Sequence, residues 1–261
     1  MSELMDFSGR TALVTGGAGG IGMAICRTLA GLGGDVVLAD RDGARLDAAL
    51  TELKAQFPQR AFYAVAGDIG EKTGPDAMVE AALALAGEID VLVNNAGVGE
   101  PIVRTIDQDI DAWQQVMDIN LRGTFLVSRA IGRHILARRG RGAIVNIASI
   151  AGMMGIPGSN AYAVSKAAVV HLTRCLASEW AGRGLRVNAI SPGYIETALA
   201  FGMFEKVGVE RAQIERKLPM RRMGHPEEIA SAVAFLASGA ASYVNGVILP
   251  VDGGWMGFGG P

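Results

Sequence analysis

The chain has 261 residues, of which 50% are hydrophobic and 19% charged, with only 9 prolines. This composition excludes a disordered chain and suits one large α/β core. A formal charge of -2 excludes the basic footprint of a nucleic-acid binder, and the one basic run, Arg138, Arg139 and Arg141, reads as a solvated helix end. No run of 18 apolar residues occurs and the first residues, MSELMDFSGR, hold no apolar leader core, so a cytoplasmic protein without a membrane partner is expected.

From residue 11 onward short apolar runs alternate with longer periodic segments. A strand is expected over 11–15, then a glycine-rich turn and a helix over 21–32. Further strands follow at 35–40, 61–66, 91–94, 143–147, 187–190 and 247–251. The intervening helices are expected at 45–56, 75–86, 112–137, 162–181 and 226–237. Most strands are near-continuous in Val, Ile, Leu and Ala, as strands covered on both faces should be. The pattern predicts an α/β protein, a single doubly wound (Rossmann) domain over 1–261 with a seven-stranded parallel sheet, and a ligand site at the strands' carboxyl ends. Residues 194–224 break the rhythm, with Met203, Phe204, Lys206, Arg211 and Pro219 between strand and helix signals. They are expected to cover the substrate.

The 36 glycines are about twice the usual share for a chain of this length. They concentrate where chemistry is expected: Gly16, Gly17, Ala18, Gly19, Gly20, Ile21 and Gly22 join the first strand to the first helix. Free N–H groups at a helix start can hold a pyrophosphate, and a Cβ there would keep phosphates away from the backbone. The spacing Gly16, Gly20, Gly22 is G-x-x-x-G-x-G, which resembles the short-chain dehydrogenase/reductase family. Asp40 closes the second strand, where a carboxylate can accept from ribose hydroxyls and would repel a 2′-phosphate, so NAD is favoured over NADP. Arg41 opposes that preference, since a guanidinium can pair with phosphate. Gly19 supports it, because phosphate-accepting relatives often carry a basic residue at that position.

The resemblance extends along the chain. Asp68 and Ile69 look like the family's adenine-contacting pair, although Asp68 also reads as a turn cap. Asn94, Asn95, Ala96 and Gly97 match its N-N-A-G motif. Asn94 is expected to fix the sheet, and Ala96 and Gly97 to lie against the cofactor. Pro192, Gly193, Ile195 and Thr197 resemble the P-G-x-x-x-T stretch that fixes the nicotinamide carboxamide, with Gly193 allowing close approach to the ring.

Tyr162 and Lys166 stand i, i+4 on a helix, which puts phenol and ammonium on one face. A neighbouring cation favours the phenolate of an otherwise poor base. Ser149 ends the fifth strand at the same sheet edge, thirteen residues before Tyr162, the spacing of the family's serine. Asn120 matches the family's helix asparagine, which holds a water in a proton relay. The resemblance thus implies an oxidoreductase with Asn120, Ser149, Tyr162 and Lys166 as catalytic residues, NAD as cofactor and a secondary alcohol or ketone, favouring a polyol, as substrate. A 3-oxoacyl-thioester reductase, to which Arg221 and Arg222 would contribute carrier contacts, is the alternative, and a non-catalytic nucleotide sensor is a third reading.

The substrate pocket is expected near Val98, Glu100, Ile150, Met154, Asn160 and Tyr194. Ala163, Ala167, Val170 and Leu172 leave the helix at 162–181 apolar on more than one side. A homotetramer is expected from the resemblance, and the tail 252–258 could pack across an interface. Cys26 and Cys175 lie in helical stretches and read as buried thiols. His134, His171 and His225 have no paired spacing, so no metal site is expected.

Overall fold

The seven apolar runs all become strands of one sheet. In a computed structural model that describes residues 3–138 and 141–257, they are β1 (Thr11–Thr15), β2 (Asp35–Asp40), β3 (Phe62–Ala66), β4 (Val91–Asn94), β5 (Gly142–Ile147), β6 (Leu185–Pro192) and β7 (Ile248–Val251). Every pairing is parallel and the order is β3-β2-β1-β4-β5-β6-β7. Arg139 of the basic run, Phe258 of the tail, and the side chains of Met203 and Lys206 lie outside the described residues.

Strand periodicity explains why the runs need apolar residues at successive positions. Ala12 and Val14 point into one cluster, which also holds Ile25, Leu29, Leu53, Ile229 and Val233, while Leu13 points into a second with Met78, Ile131, Ile135 and Leu176. The first cluster is closed by α1 (Gly20–Gly31), α2 (Gly43–Gln56) and α9 (Pro226–Ala237). The second is closed by α3 (Gly74–Ala86), α5 (Thr124–Ala137) and α6 (Asn160–Trp180). Fully burying one such Leu or Ile contributes about 1.5–3 kcal/mol, so both helical layers are held chiefly by apolar burial.

The helix expected at 112–137 is interrupted. It divides into α4 (Ile110–Met117), a wider π-helical turn over Asp118–Gly123, and α5. Apolar periodicity does not register the change, because an i→i+5 turn shifts the helix face without ending the helix. Gly123 lies beneath the backbone of Ile69, where a Cβ would stand 2.6 Å from the Ile69 carbonyl oxygen.

The segment at 194–224 contains two helices that its sequence does not announce, α7 (Ala198–Val207) and α8 (Arg211–Lys217). Its ends are stapled together: Glu196 N donates to Gly224 O at 2.9 Å, and Gly224 N to Tyr194 O at 2.9 Å. Phe204, Leu218 and Met223 form a separate small core, packed with Tyr194 and Trp255. The described tail therefore folds back on its own chain, the Trp255 ring meeting Tyr194 edge-on at 5.6 Å. Cys26 is buried as expected. Cys175 is exposed instead, because it falls on the outer face of α6. Among the described residues no helix is long and apolar enough to cross a membrane, and no three His, Cys, Asp or Glu side chains cluster as metal ligands.

Candidate active site

The strand order reverses between β1 and β4, and the segments leaving these two strands meet at their carboxyl ends. Thr15 organises this junction: its Oγ1 accepts from Asn95 N and Ala96 N, both at 3.1 Å. Asn95 Nδ2 donates to Thr15 O and Gly16 O, both at 3.0 Å, and so ties the glycine turn to the end of β4. Gly16 has a left-handed φ of 63°, and a Cβ there would stand 2.9 Å from Asn95 Nδ2. A Cβ on Gly22 would collide with the Gly16 carbonyl. Gly19, at the N-cap of α1, has no side chain with which to satisfy the first N–H groups, so these are available to an anion. The turn thus fits a dinucleotide pyrophosphate across Gly16, Ala18, Gly19, Gly20, Ile21 and Gly22.

Asp40 is half-buried at the end of β2, with Oδ1 accepting from Asp42 N at 3.2 Å. Arg41 is exposed. The Arg45 guanidinium, on the first turn of α2, lies over Gly19. Asp68 serves its turn, Oδ1 accepting from Gly70 N at 2.8 Å, while Ile69 is buried in the core against Gly123. Asn94 fixes the sheet as expected. It donates to Ser128 Oγ and Asn146 Oδ1, both at 2.8 Å, although its Oδ1 is left without a partner in the described structure.

Gly97 marks the point where three elements meet. A Cβ there would lie 3.2 Å from Asn120 Oδ1 and 3.3 Å from Lys166 Nζ. Asn120, buried in the π-helical turn, accepts from Val98 N at 2.8 Å and donates to Val98 O at 2.9 Å and Ser165 Oγ at 3.1 Å. Lys166 is buried, and its Nζ donates to Ile147 O at 2.8 Å. Burial alone brings its pKa down to about 8. Ser149 stands two residues beyond that carbonyl, accepts from Ala151 N at 3.1 Å, and lies close enough to the Tyr162 phenol to draw its pKa down.

The phenol departs from expectation. Burial pushes its pKa up, and the opposing influence comes from the Ser149 hydrogen bond rather than from Lys166. Lys166 Nζ stands 5.8 Å from the Tyr162 ring centroid and is itself held less basic by burial. Helical spacing alone could not foresee that the ammonium would point past the ring to a strand carbonyl.

After β6, Pro192 and Gly193 lead to the 194–224 segment. Within the protein Gly193 has a close neighbour in the backbone after β7: a Cβ would stand 2.7 Å from Asp252 Cα. Ile195 is buried and bridges to Gly224. Thr197 caps α7, accepting from Ala200 N at 3.2 Å, and its methyl lies 3.7 Å from where a Cβ of Gly20 would sit. The segment therefore begins beside the glycine turn. Asn95 and Arg45 are the site residues that the sequence reading missed. Asn95 was visible within the N-N-A-G motif, whereas Arg45 reads as an ordinary helix residue.

A dinucleotide-type turn and a Ser–Tyr–Lys group at one sheet edge define a nicotinamide-dependent oxidoreductase fold and site. The family model described as enoyl-(acyl carrier protein) reductase matches residues 16–256. Galactitol 2-dehydrogenase (L-tagatose-forming) of Cereibacter sphaeroides is 44% identical over 249 residues, covering 95% of each chain. The 3-oxoacyl-(acyl-carrier-protein) reductase of Thermotoga maritima is 36% identical, covering 96% of this chain and 99% of its own. Among solved structures, a gluconate 5-dehydrogenase from Burkholderia cenocepacia J2315 in complex with NADP and tartrate superposes with a TM-score of 0.91 at 33% identity, covering 98% of this chain and 99% of that one. The chain belongs to the short-chain dehydrogenase/reductase family and is an oxidoreductase of secondary alcohols and ketones.

Proposed function

We propose that this chain is an NAD(H)-dependent dehydrogenase of a polyol, folded as one domain in which residues 194–224 cover the substrate. The carrying observation is the convergence of Asn120, Ser149, Tyr162 and Lys166 beside the glycine turn. Nicotinamide, when bound, accepts the hydride from the carbinol carbon or returns it. Tyr162 takes the alcohol proton, and Ser149 hydrogen-bonds the same oxygen as charge develops on it. Lys166 and the Asn120 backbone belong to the route by which that proton leaves, and Lys166 also orients the nicotinamide ribose. The Asn120 side chain is fully committed to Val98 and Ser165, so its share in a relay falls to its backbone.

Asp40 and Arg41 would hold the adenosine ribose, with Asp68 and Ile69 toward adenine. Ala96, Gly97, Pro192, Gly193, Ile195 and Thr197 would hold the nicotinamide half. Asp40 favours NAD; Arg45 over Gly19 and the exposed Arg41 are guanidinium groups that would welcome a 2′-phosphate. Similarity to the galactitol enzyme supports a polyol.

Similarity to the 3-oxoacyl reductase keeps a second reading open, but Arg222 is paired with both oxygens of Glu228 at 2.7 Å, and Arg221 is turned to Arg216 O. Arg222 is thus engaged by Glu228, whereas Arg221 keeps exposed donors that an acyl carrier could meet. The reading includes a small-molecule substrate and, from the resemblance, a homotetrameric cytoplasmic enzyme. Assaying galactitol, sorbitol and xylitol with NAD and with NADP tests the reading. Tyr162→Phe should lower turnover by about 10²–10⁴-fold while NADH still binds. Substantial retained activity would remove Tyr162 from its role.

A further inference from the structure

We infer that Glu100 is a positioning residue for Tyr162: its carboxylate clasps the first turn of α6 and fixes the phenol against Ser149. This rests on the reading of Tyr162 as the acid/base group.

The first N–H groups of a helix have no partner within it and need an acceptor from outside. At α6 that acceptor does not come from the residue before the helix. The Ser159 hydroxyl turns away and donates to Glu100 Oε1 at 3.1 Å, and the same oxygen accepts from the backbone N–H of Tyr162 at 2.7 Å. Glu100 Oε2 accepts from Gln108 Nε2 at 2.7 Å. Both carboxylate oxygens are therefore occupied by the protein. Glu100, expected from sequence as a pocket residue, is half-buried and holds the loop after β4 to the start of α6.

Two further bonds join the same two pieces of chain, and a third reaches the start of α6 from α4. Val103 N donates to Gly158 O at 2.9 Å, Asn160 Nδ2 to Thr105 Oγ1 at 3.0 Å, and Trp113 Nε1 to Asn160 Oδ1 at 2.9 Å. These hold residues 158 and 160, whereas the Glu100 bond is made to Tyr162 itself. A carboxylate at this place also complements the positive end of the helix dipole.

The consequence lies in how the two reacting side chains are held. Ser149 follows β5 and is held by its bond from Ala151 N, in a turn over Ile150–Gly152 that packs on α6 at Lys166 and Ala167, beyond the first turn that carries Tyr162. The phenol, by contrast, projects from the first turn of its helix, where fraying is easiest, and a displacement of about 1 Å at a reacting group can cost about 10²-fold in rate. Removing the carboxylate leaves the Tyr162 N–H without its partner and loosens that turn. An amide at position 100 keeps an acceptor for Tyr162 and Ser159, and the Gln108 amide can turn its oxygen to meet the new NH₂.

The test uses the full chain with Glu100→Ala, Glu100→Gln and Tyr162→Phe. Amide hydrogen exchange of residues 159–166, referred to β5 residues 142–147, reads the clasp without any substrate. Turnover of the fastest polyol in the panel above, with its primary deuterium isotope effect, reads the chemistry. Glu100→Ala should raise exchange at the Tyr162 amide about 10-fold with β5 unchanged. It should lower kcat about 10- to 100-fold with the isotope effect on kcat increased, and leave NADH affinity within about 2-fold. Glu100→Gln should restore both readouts to within about 3-fold. A parental value of either readout in Glu100→Ala overturns the inference, as does uniform exchange across β5, which would mean a general loss of stability. An active Tyr162→Phe overturns the underlying reading instead, so the two failures are distinct.

Discussion

Lys166 and Ile147 are joined by a 2.8 Å hydrogen bond in which the ammonium donates to the last carbonyl of β5. The bond fixes a buried cation directly behind Ser149, and burial makes that cation expensive. Its folded pKa of about 8 lies below the ordinary 10.5. Between those values the unfolded chain binds more protons, so the stability of the parent rises as pH climbs from about 8 toward 10.5. Lys166→Met keeps most of the volume and removes the charge. It should be at least as stable as the parent at pH 7, by up to about 2 kcal/mol, while turnover falls by about 10²-fold or more. Urea denaturation at pH 7 and 9.5 checks this: the variant's advantage should shrink at the higher pH, and a pH-independent difference would contradict the buried-cation account.

The glycine turn makes a contrast between two substitutions. Gly22→Ala pushes a methyl into the Gly16 carbonyl and 2.7 Å from Asn95 Nδ2. The turn must open, which should cost about 1–3 kcal/mol of stability and weaken NADH binding at least about 10-fold. Gly43→Ala, at the start of α2, meets nothing within 4 Å and should be neutral or slightly stabilising. Thermal melts and NADH fluorescence titration compare the two; equal effects would mean that close packing at Gly22 is not what the turn requires.

Asn120 gives a test of hydrogen-bond polarity. Its Nδ2 faces two acceptors, Val98 O and Ser165 Oγ, in a buried setting. Asn120→Asp replaces that donor with an acceptor and sets two oxygens against each other at Val98. A loss of about 3 kcal/mol, with collapse of activity, is expected at pH 8. A denaturation midpoint equal to the parent's would show that the π-helical turn does not depend on this amide.

Cofactor choice should hinge on Asp40 and Arg45 together. Asp40→Ser removes the carboxylate that repels a 2′-phosphate, and kcat/KM with NADP should rise about 10-fold, equivalent to about 1.4 kcal/mol. Adding Arg45→Ala should erase that gain, because the guanidinium over Gly19 is the group placed to receive the phosphate. A gain that survives the second substitution would assign phosphate recognition elsewhere, with Arg41 the next residue to change.

Local pattern determined much of this protein. Seven apolar runs specified seven strands to within about two residues at each end, because strands buried on both faces must be apolar at every position. The glycine spacing, Asp40, the N-N-A-G run and the Ser149, Tyr162 and Lys166 spacings were legible because each depends on neighbours close in sequence. Tertiary structure decided what depends on distant neighbours. The π-helical turn at Asn120 arises inside a pattern that reads as one helix. The helices α7 and α8 are held by a small core shared with Trp255, far along the chain. Arg45 reaches Gly19 from the next helix, Lys166 turns past the phenol to Ile147, and Glu100 reaches Tyr162 across 62 positions of sequence. A spacing rule specifies which side chains share a face, whereas the partner each one meets is settled only when the sheet edge brings separate loops together.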